Sequence, residues 1–203
     1  DQTEPHLKEY QRIVEDVRCG LLAGIISIFT VPPASVQQQL GDFPLVIVAR
    51  KREDVPHSYP QIEFDLVELF RCQLKQLETA GCRNIAVLLY DNISMPKCLT
   101  ILDLAARSRA NCPRTWIMGM NLSYTRSIFY DNQLELIFSK NQAVTPDGLI
   151  VSSENFLPLV FNAFSRLGIV PGRDVKIVSH RNSTSAASRV SGIGYVTFSV
   201  EQV

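Results

Sequence analysis

The order of hydrophobic and polar residues predicts strands and helices in alternation along the chain. Short stretches that are largely apolar, as in buried parallel strands, predict strands at 24–29, 43–51, 62–64, 84–91, 114–120, 147–152, 174–179 and 192–198. Elsewhere apolar residues recur every three to four positions, which predicts helices at 4–20, 32–40, 65–81, 95–110, 123–140 and 154–168. The alternation indicates an α/β protein with open parallel sheets and helices on both faces.

Two interruptions in this series predict boundaries between lobes. Asp91, Asn92 and Pro96 separate one strand–helix series from the next, so one boundary is predicted near residue 93. A second boundary is predicted near 190, in "SRVSGIGY". The expected organisation is an N-terminal lobe over 1–93, a C-terminal lobe over 94–190, and a return of 191–203 to the first lobe.

Charge and cysteine content narrow the class of protein. The chain has 20 Lys and Arg residues and 20 Asp and Glu residues, and its net charge is zero. The chain as a whole therefore produces no electrostatic field that would attract DNA or an anionic membrane. No leader pattern and no apolar run of membrane-spanning length occurs. The five cysteines are odd in number and lack a C-x-x-C pair, which predicts reduced thiols and a cytoplasmic location.

Motifs for enzyme chemistry are missing from the sequence. The three histidines are not in an H-E-x-x-H setting, and no G-x-G-x-x-G, P-loop or G-x-S-x-G motif occurs. The glycines of "SGIG" at 191–194 precede an apolar run and indicate a turn. We therefore predict no catalytic residue, no metal site and no cofactor.

Four stretches together carry a resemblance to a known family. They are "GLLAGIISI" (20–28), "FPLVIVARK" (43–51), "IEFDLVELFRCQLKQLETAGCRNIAVLLYD" (62–91) and "TPDGLIVSSENFLPLVFNAFSRLGIVPGRDVKIVSH" (145–180). In this order, across about residues 20–200, they resemble the effector-binding domain of the lactose-repressor (LacI) family of bacterial transcription regulators. The resemblance implies a periplasmic-binding-protein-like fold of type I, with two lobes around a cleft that closes over a small effector.

The resemblance also implies how such a protein acts. Members of the family carry an amino-terminal DNA-binding head and further strands and helices that lie outside the matched stretches. We expect a homodimer that senses a small molecule and controls DNA binding allosterically through that head. Two other functions fit the same fold: a solute-binding protein of a transport system, and a small α/β enzyme.

Ligands of open α/β sheets bind outside the carboxyl ends of the strands, so polar residues at those ends are the candidates. They are Arg50, Lys51, Tyr90, Asp91, Asn92, Asn121, Ser152, Ser153, Glu154, Asn155, His180, Arg181 and Asn182. Where many family members have Asn-Asp, this chain has Ser153-Glu154. Where many sugar binders have an aspartate, it has Arg181. Because a guanidinium donates to carboxylate or phosphate, this change favours an anionic effector over a neutral sugar.

From this set we predict ligand contact for five residues: Arg50, Asn121, Ser153, Glu154 and Arg181. Each has a simpler interpretation. Ser153 or Glu154 could cap the following helix, Arg50 could pair with Glu53 or Asp54, and Arg181 could be a solvated loop residue. Asp65 is interpreted as a helix cap and Trp116 as a core residue.

Overall fold

The computed structural model describes residues 7–28, 31–48, 59–90, 93–120, 127–182 and 190–198. The helices in these ranges are α1 (Leu7–Arg18), α2 (Ala34–Leu40), α3 (Leu66–Thr79), α4 (Met95–Ala106), α5 (Ser127–Ile137) and α6 (Leu157–Leu167). The strands are β1 (Ile25–Ile28), β2 (Leu45–Val48), β3 (Gln61–Ile62), β4 (Ile85–Tyr90), β5 (Ile117–Met120), β6 (Gly148–Val151), β7 (Lys176–Asn182) and β8 (Ile193–Phe198). Each predicted element is present, with shifted ends. No helix in the described ranges is long and apolar enough to cross a lipid bilayer.

The chain divides into two compact units, residues 1–65 and 66–203. This division differs from the boundary expected near residue 93. The strand β4, which lies before that position, is hydrogen-bonded to β5 and β6 in the sheet of the larger unit. The strand β8, in the segment for which a return to the first lobe was expected, pairs with β7 in that sheet. The strand β4 ends at Tyr90 and the next described helix, α4, begins at Met95.

The smaller unit contains a three-stranded parallel sheet in the order β1-β2-β3. Leu45 and Ile47, alternate residues of β2, are buried together with Val14 of α1. The neighbouring strand β1 presents Ile26 and Ile28 on its exposed side. Because successive side chains of a strand point to opposite faces, one face of this sheet forms the core of the unit.

The larger unit contains a five-stranded parallel sheet in the order β5-β4-β6-β7-β8. Its central strands β4 and β6 are apolar without interruption because both of their faces are covered. One face packs against α3 and α4, where Phe70 and Ile101 are fully buried. The other packs against α5 and α6, where Leu134 and Phe164 are fully buried. Burial of each such side chain contributes about 1.5–3 kcal/mol to the free energy of unfolding. The packing on both faces therefore stabilises this sheet.

Candidate functional site

The carboxyl ends of β4 and β6 mark the point where the chain changes direction across the larger sheet. The two strands are neighbours, yet β4 leads to α4 on one face and β6 leads to α6 on the other. Helices that diverge at such a point leave room for a ligand between them. Tyr90 ends β4, and Ser152 and Ser153 follow β6. The polar residues at this edge of the sheet are therefore the candidates for ligand contact.

Glu154 and Arg181 bring opposite charges together there. The Nε of Arg181 lies 4.0 Å from Oε2 of Glu154, and the two side chains are 10% and 26% exposed. The pairing of Val151 with Ser179 across β6 and β7 places the residues that follow each of them at the same edge. Two largely buried charges compensate each other, because an isolated charge in this setting is strongly disfavoured. The solvated-loop interpretation of Arg181 is therefore wrong.

Aromatic rings hold the geometry on this side of the sheet. The guanidinium carbon of Arg181 lies 5.7 Å from the centroid of the Tyr195 ring, within the range of a cation–π interaction. Arg181 pairs with Thr197 across β7 and β8, so Tyr195, two residues earlier, lies on the same face. The rings of Tyr90 and Phe156 approach to 5.1 Å between centroids. An ion pair and three aromatic side chains are thus gathered from four chain segments.

Ser153 has a structural role at the start of the segment that leads to α6. Its Oγ accepts a 3.3 Å hydrogen bond from the main-chain N–H of Asn155. The segment begins with a 3-10 turn, Glu154–Phe156, before α6 starts at Leu157. Ser153 therefore caps the 3-10 turn, whereas α6 has Phe156 at its N-cap position and no side-chain cap. Ser153 itself is buried. Glu154 lies one residue beyond the cap, where its carboxylate faces Arg181.

On the opposite face of the sheet, the side chains at this edge are polar but not charged. Ile150 of β6 and Val178 of β7 pack on the side of the sheet that α3 covers. Because successive side chains of a strand point to opposite faces, Ser152 and His180, each two positions later, lie on that same side. Burial lowers the pKa of His180 below its ordinary value of 6.5, and the Glu154 carboxylate opposes that shift. His180 is therefore mainly neutral at pH 7. Within the described residues, the buried Oγ of Ser152 has no hydrogen-bond partner.

Several predicted residues lie outside the described ranges. These include Arg50 and Asn121 of the five predicted contacts, so their contact with a ligand stays a prediction. Tyr195 is a residue of the candidate site that the sequence analysis missed. Its strand was recognised, but no local pattern indicates that β8 lies next to β7. Trp116 is buried in the core formed with α5 and α6, as expected.

A separate shallow depression lies on the outer side of α3. All of its lining residues belong to the last three turns of the helix or directly follow it. They are Cys72, Lys75, Gln76, Thr79 and Ala80. The parallel strands begin near this end of α3, since Lys176 at the start of β7 donates to the Ala80 carbonyl. The depression thus lies toward the amino edge of the sheet, opposite the Glu154–Arg181 pair.

Comparison with known proteins gives a consistent fold. No protein-family model and no curated protein sequence matches the chain. Solved structures do match. A regulatory protein of the LacI family from Chloroflexus aggregans superposes with a TM-score of 0.65 at 15% identity, over 89% of this chain and 63% of that one. The transcription regulator CcpA of Lactococcus lactis superposes with a TM-score of 0.59 at 14% identity, over 88% and 65%.

A third match comes from a structure with a bound sugar. The LacI family transcriptional regulator from Lactobacillus casei with bound glucose has a TM-score of 0.58 at 16% identity, over 89% of this chain and 67% of that one. This chain therefore spans about two thirds of the length of the regulators it matches. It has the fold of LacI-family transcription regulators, a parallel-sheet α/β fold of the periplasmic-binding-protein-like kind, as the sequence resemblance predicted.

Proposed function

We propose that the chain is the effector-binding part of a bacterial DNA-binding transcription regulator of the LacI family. The observation that supports this most directly is the Glu154–Arg181 pair, which lies at the carboxyl ends of β6 and β7, beside the switch point of a sheet with the fold of such regulators. A fold is shared by many functions. The proposal therefore depends on the residues at the carboxyl edge of the sheet, and the fold only supports it.

The proposed effector is a small molecule held at the carboxyl edge of the five-stranded sheet. Arg181 would donate to a carboxylate or phosphate group, and Ser153 and Glu154 would complete the polar surface. Arg50 and Asn121 are proposed to add contacts from other strand ends. The matched regulator from Lactobacillus casei binds glucose, sucrose and Tris, which supports a ligand of this size. The class therefore includes sugars, sugar phosphates and other anionic metabolites.

The mechanism is linkage between effector binding and conformation, without a chemical step. An effector that binds one arrangement of the protein more tightly shifts the population toward that arrangement, by no more than the difference in affinity. In a homodimer this shift changes the spacing of two DNA-binding heads, and therefore their fit to two half-sites. DNA contact is assigned to the head and not to this chain, whose net charge is zero.

The proposed location is the cytoplasm, where such a regulator meets DNA. All five cysteines are free thiols in the structure. Intracellular proteins keep their thiols reduced, so five unpaired cysteines fit this compartment better than an oxidising one.

A thermal-shift screen of the chain tests the proposal. A ligand that binds only the folded state raises the melting temperature by mass action, so sugars, sugar phosphates and organic acids at millimolar concentration are the panel. We expect a stabilising compound whose effect is lost in Arg181→Met. Arg173→Gln is the matched control, since Arg173 forms an exposed ion pair with Asp174 in the turn before β7 and should leave binding unchanged.

The complete gene product separates this function from the two alternatives. A DNA-binding head, and operator binding that changes when the stabilising compound is added, support the regulator. A secretion leader without a head would assign the chain to a transport system instead. Turnover of the bound compound would indicate an enzyme.

A further inference from the structure

We infer that the effector is zwitterionic, a small molecule that carries both a carboxylate and an ammonium group, as amino acids do. The inference rests on the proposed function and names the class of ligand for the same site. It comes from the two opposite charges of Glu154 and Arg181, which lie side by side at the ligand-binding edge.

The geometry of the Glu154–Arg181 pair leaves the carboxylate able to accept further hydrogen bonds. The separation of 4.0 Å between Nε and Oε2 is longer than a charge-assisted hydrogen bond, which is about 2.7–2.9 Å. Among the described residues, the Glu154 carboxylate accepts no hydrogen bond and its nearest cation is Arg181. A carboxylate that is about three quarters buried therefore keeps its acceptor capacity for a ligand that brings donors.

The pair does not favour a doubly charged anion. Arg181 attracts a phosphate dianion, but Glu154 repels it from almost the same distance. The attraction and the repulsion nearly cancel because the two side chains are only 4.0 Å apart. A ligand with one charge of each sign avoids this conflict. Its carboxylate faces Arg181, its ammonium faces Glu154, and both interactions are attractive.

A zwitterion also fits this pair better than a neutral sugar does. When a ligand covers the edge, it removes water from two charges that are already mostly buried. Buried charges are costly unless charged partners and hydrogen bonds replace that water. Sugar hydroxyls offer neutral hydrogen bonds, which are about half as strong as charge-assisted ones. A zwitterion supplies a charged partner for each side chain.

The surroundings keep the two charges in place for this task. The Tyr195 ring lies against the Arg181 guanidinium, and the Ser153 cap fixes the turn that carries Glu154. His180, on the opposite face of the same edge, is mainly neutral at pH 7 because burial lowers its pKa. The described edge thus presents one positive and one negative group in fixed positions.

Calorimetric titration of the chain with matched probes tests the inference. The probes are the common L-amino acids, β-alanine and γ-aminobutyrate, each compared with its deaminated acid and its amide, together with glucose and glucose 6-phosphate. We expect at least one zwitterion to bind, and removal of either charged group from it to weaken binding at least about tenfold, the size of effect expected for one lost charged partner.

Two variants assign each charge to its partner. Glu154→Gln should weaken binding of the zwitterion at least about tenfold and strengthen binding of the deaminated acid, because it removes the repulsion between two negative groups. Arg181→Lys should weaken binding of both compounds. Arg173→Gln again serves as the control, and circular dichroism establishes that each variant is folded. If a folded Glu154→Gln protein binds the zwitterion as tightly as the wild type, the inference is wrong.

The outcome also distinguishes this inference from the proposed function. Binding of glucose or glucose 6-phosphate without binding of any zwitterion overturns the inference and leaves the effector role intact. If no compound in the two panels binds, both the zwitterionic ligand and the effector role fail.

Discussion

The side-chain amide of Gln73 in α3 donates a 3.1 Å hydrogen bond to the main-chain oxygen of Val151, the last residue of β6. Gln73 is only 1% exposed, so this bond joins helix and strand inside the core. The chain turns toward Ser152, Ser153 and Glu154 directly after it. The position of the candidate site therefore depends on a polar contact that is itself out of reach of solvent.

Replacing Gln73 with Leu should lower the free energy of unfolding by about 1–3 kcal/mol, because the Val151 oxygen loses a buried partner. Urea denaturation measures the change. Lys75→Ala, an exposed position of the same helix, is the control and should change stability by less than about 0.5 kcal/mol. Equal stabilities of Gln73→Leu and the wild type would show that the hydrogen bond contributes nothing.

Gly172→Ala should destabilise the larger unit more than Gly168→Ala does. Both glycines have positive φ, +80° and +69°, which costs an L-residue about 1–2 kcal/mol. An added Cβ on Gly172 would also lie 2.8 Å from the Cα of Gly192, whereas nothing lies within 4 Å of one on Gly168. We expect about 1–3 kcal/mol of additional loss, measured by thermal unfolding. Similar losses for the two variants would contradict the close approach of Gly172 and Gly192.

The stability of the larger unit should fall as the pH drops from 7.5 toward 5.5. Burial lowers the pKa of His180 in the folded state below 6.5, so the unfolded chain binds the proton more readily. Stability contributed by the neutral imidazole is complete above 6.5 and is lost as the pH falls through the interval down to the folded pKa. His180→Gln should flatten this part of the curve of melting temperature against pH.

Glu154→Gln provides a second test of the same titration. The Glu154 carboxylate raises the pKa of His180 against the effect of burial, so its removal should lower that pKa further. NMR titration of the imidazole signals measures it, with the His180 signal assigned by its absence in His180→Gln. An unchanged pKa in Glu154→Gln would mean that the two groups do not interact.

The rate of alkylation at pH 8 should differ between buried and exposed cysteines. Burial raises the pKa of Cys112 to about 11 and also raises that of Cys82, so neither thiol should react before unfolding. The exposed residues Cys19 and Cys72 should react in the native protein. Cys72 should be slower than a free thiol, since burial and Glu68 raise its pKa. Mass spectrometry of the labelled peptides gives the pattern, and native labelling of Cys112 would contradict it.

The sequence by itself determined the elements and the class of fold. The uninterrupted apolar runs of β4 and β6 indicated strands buried on both faces, and the helical periodicity of α3 and α6 indicated what covers them. These signals are local, because a strand or helix shows its burial in the spacing of its own residues. The same local reasoning made Glu154 and Arg181 candidates for ligand contact, since each follows or ends an apolar strand.

Only the tertiary structure decided which residues meet. The order β5-β4-β6-β7-β8 places β4 in the larger unit, although a polar break near residue 93 suggested a boundary after it. It also brings Glu154 to Arg181 and Tyr195 beneath the guanidinium. Strand order and pairing depend on contacts between residues distant in the chain, and no periodicity within one segment records them. The pairing of two charges, and with it the proposed chemistry of the ligand, is therefore a property of the folded sheet.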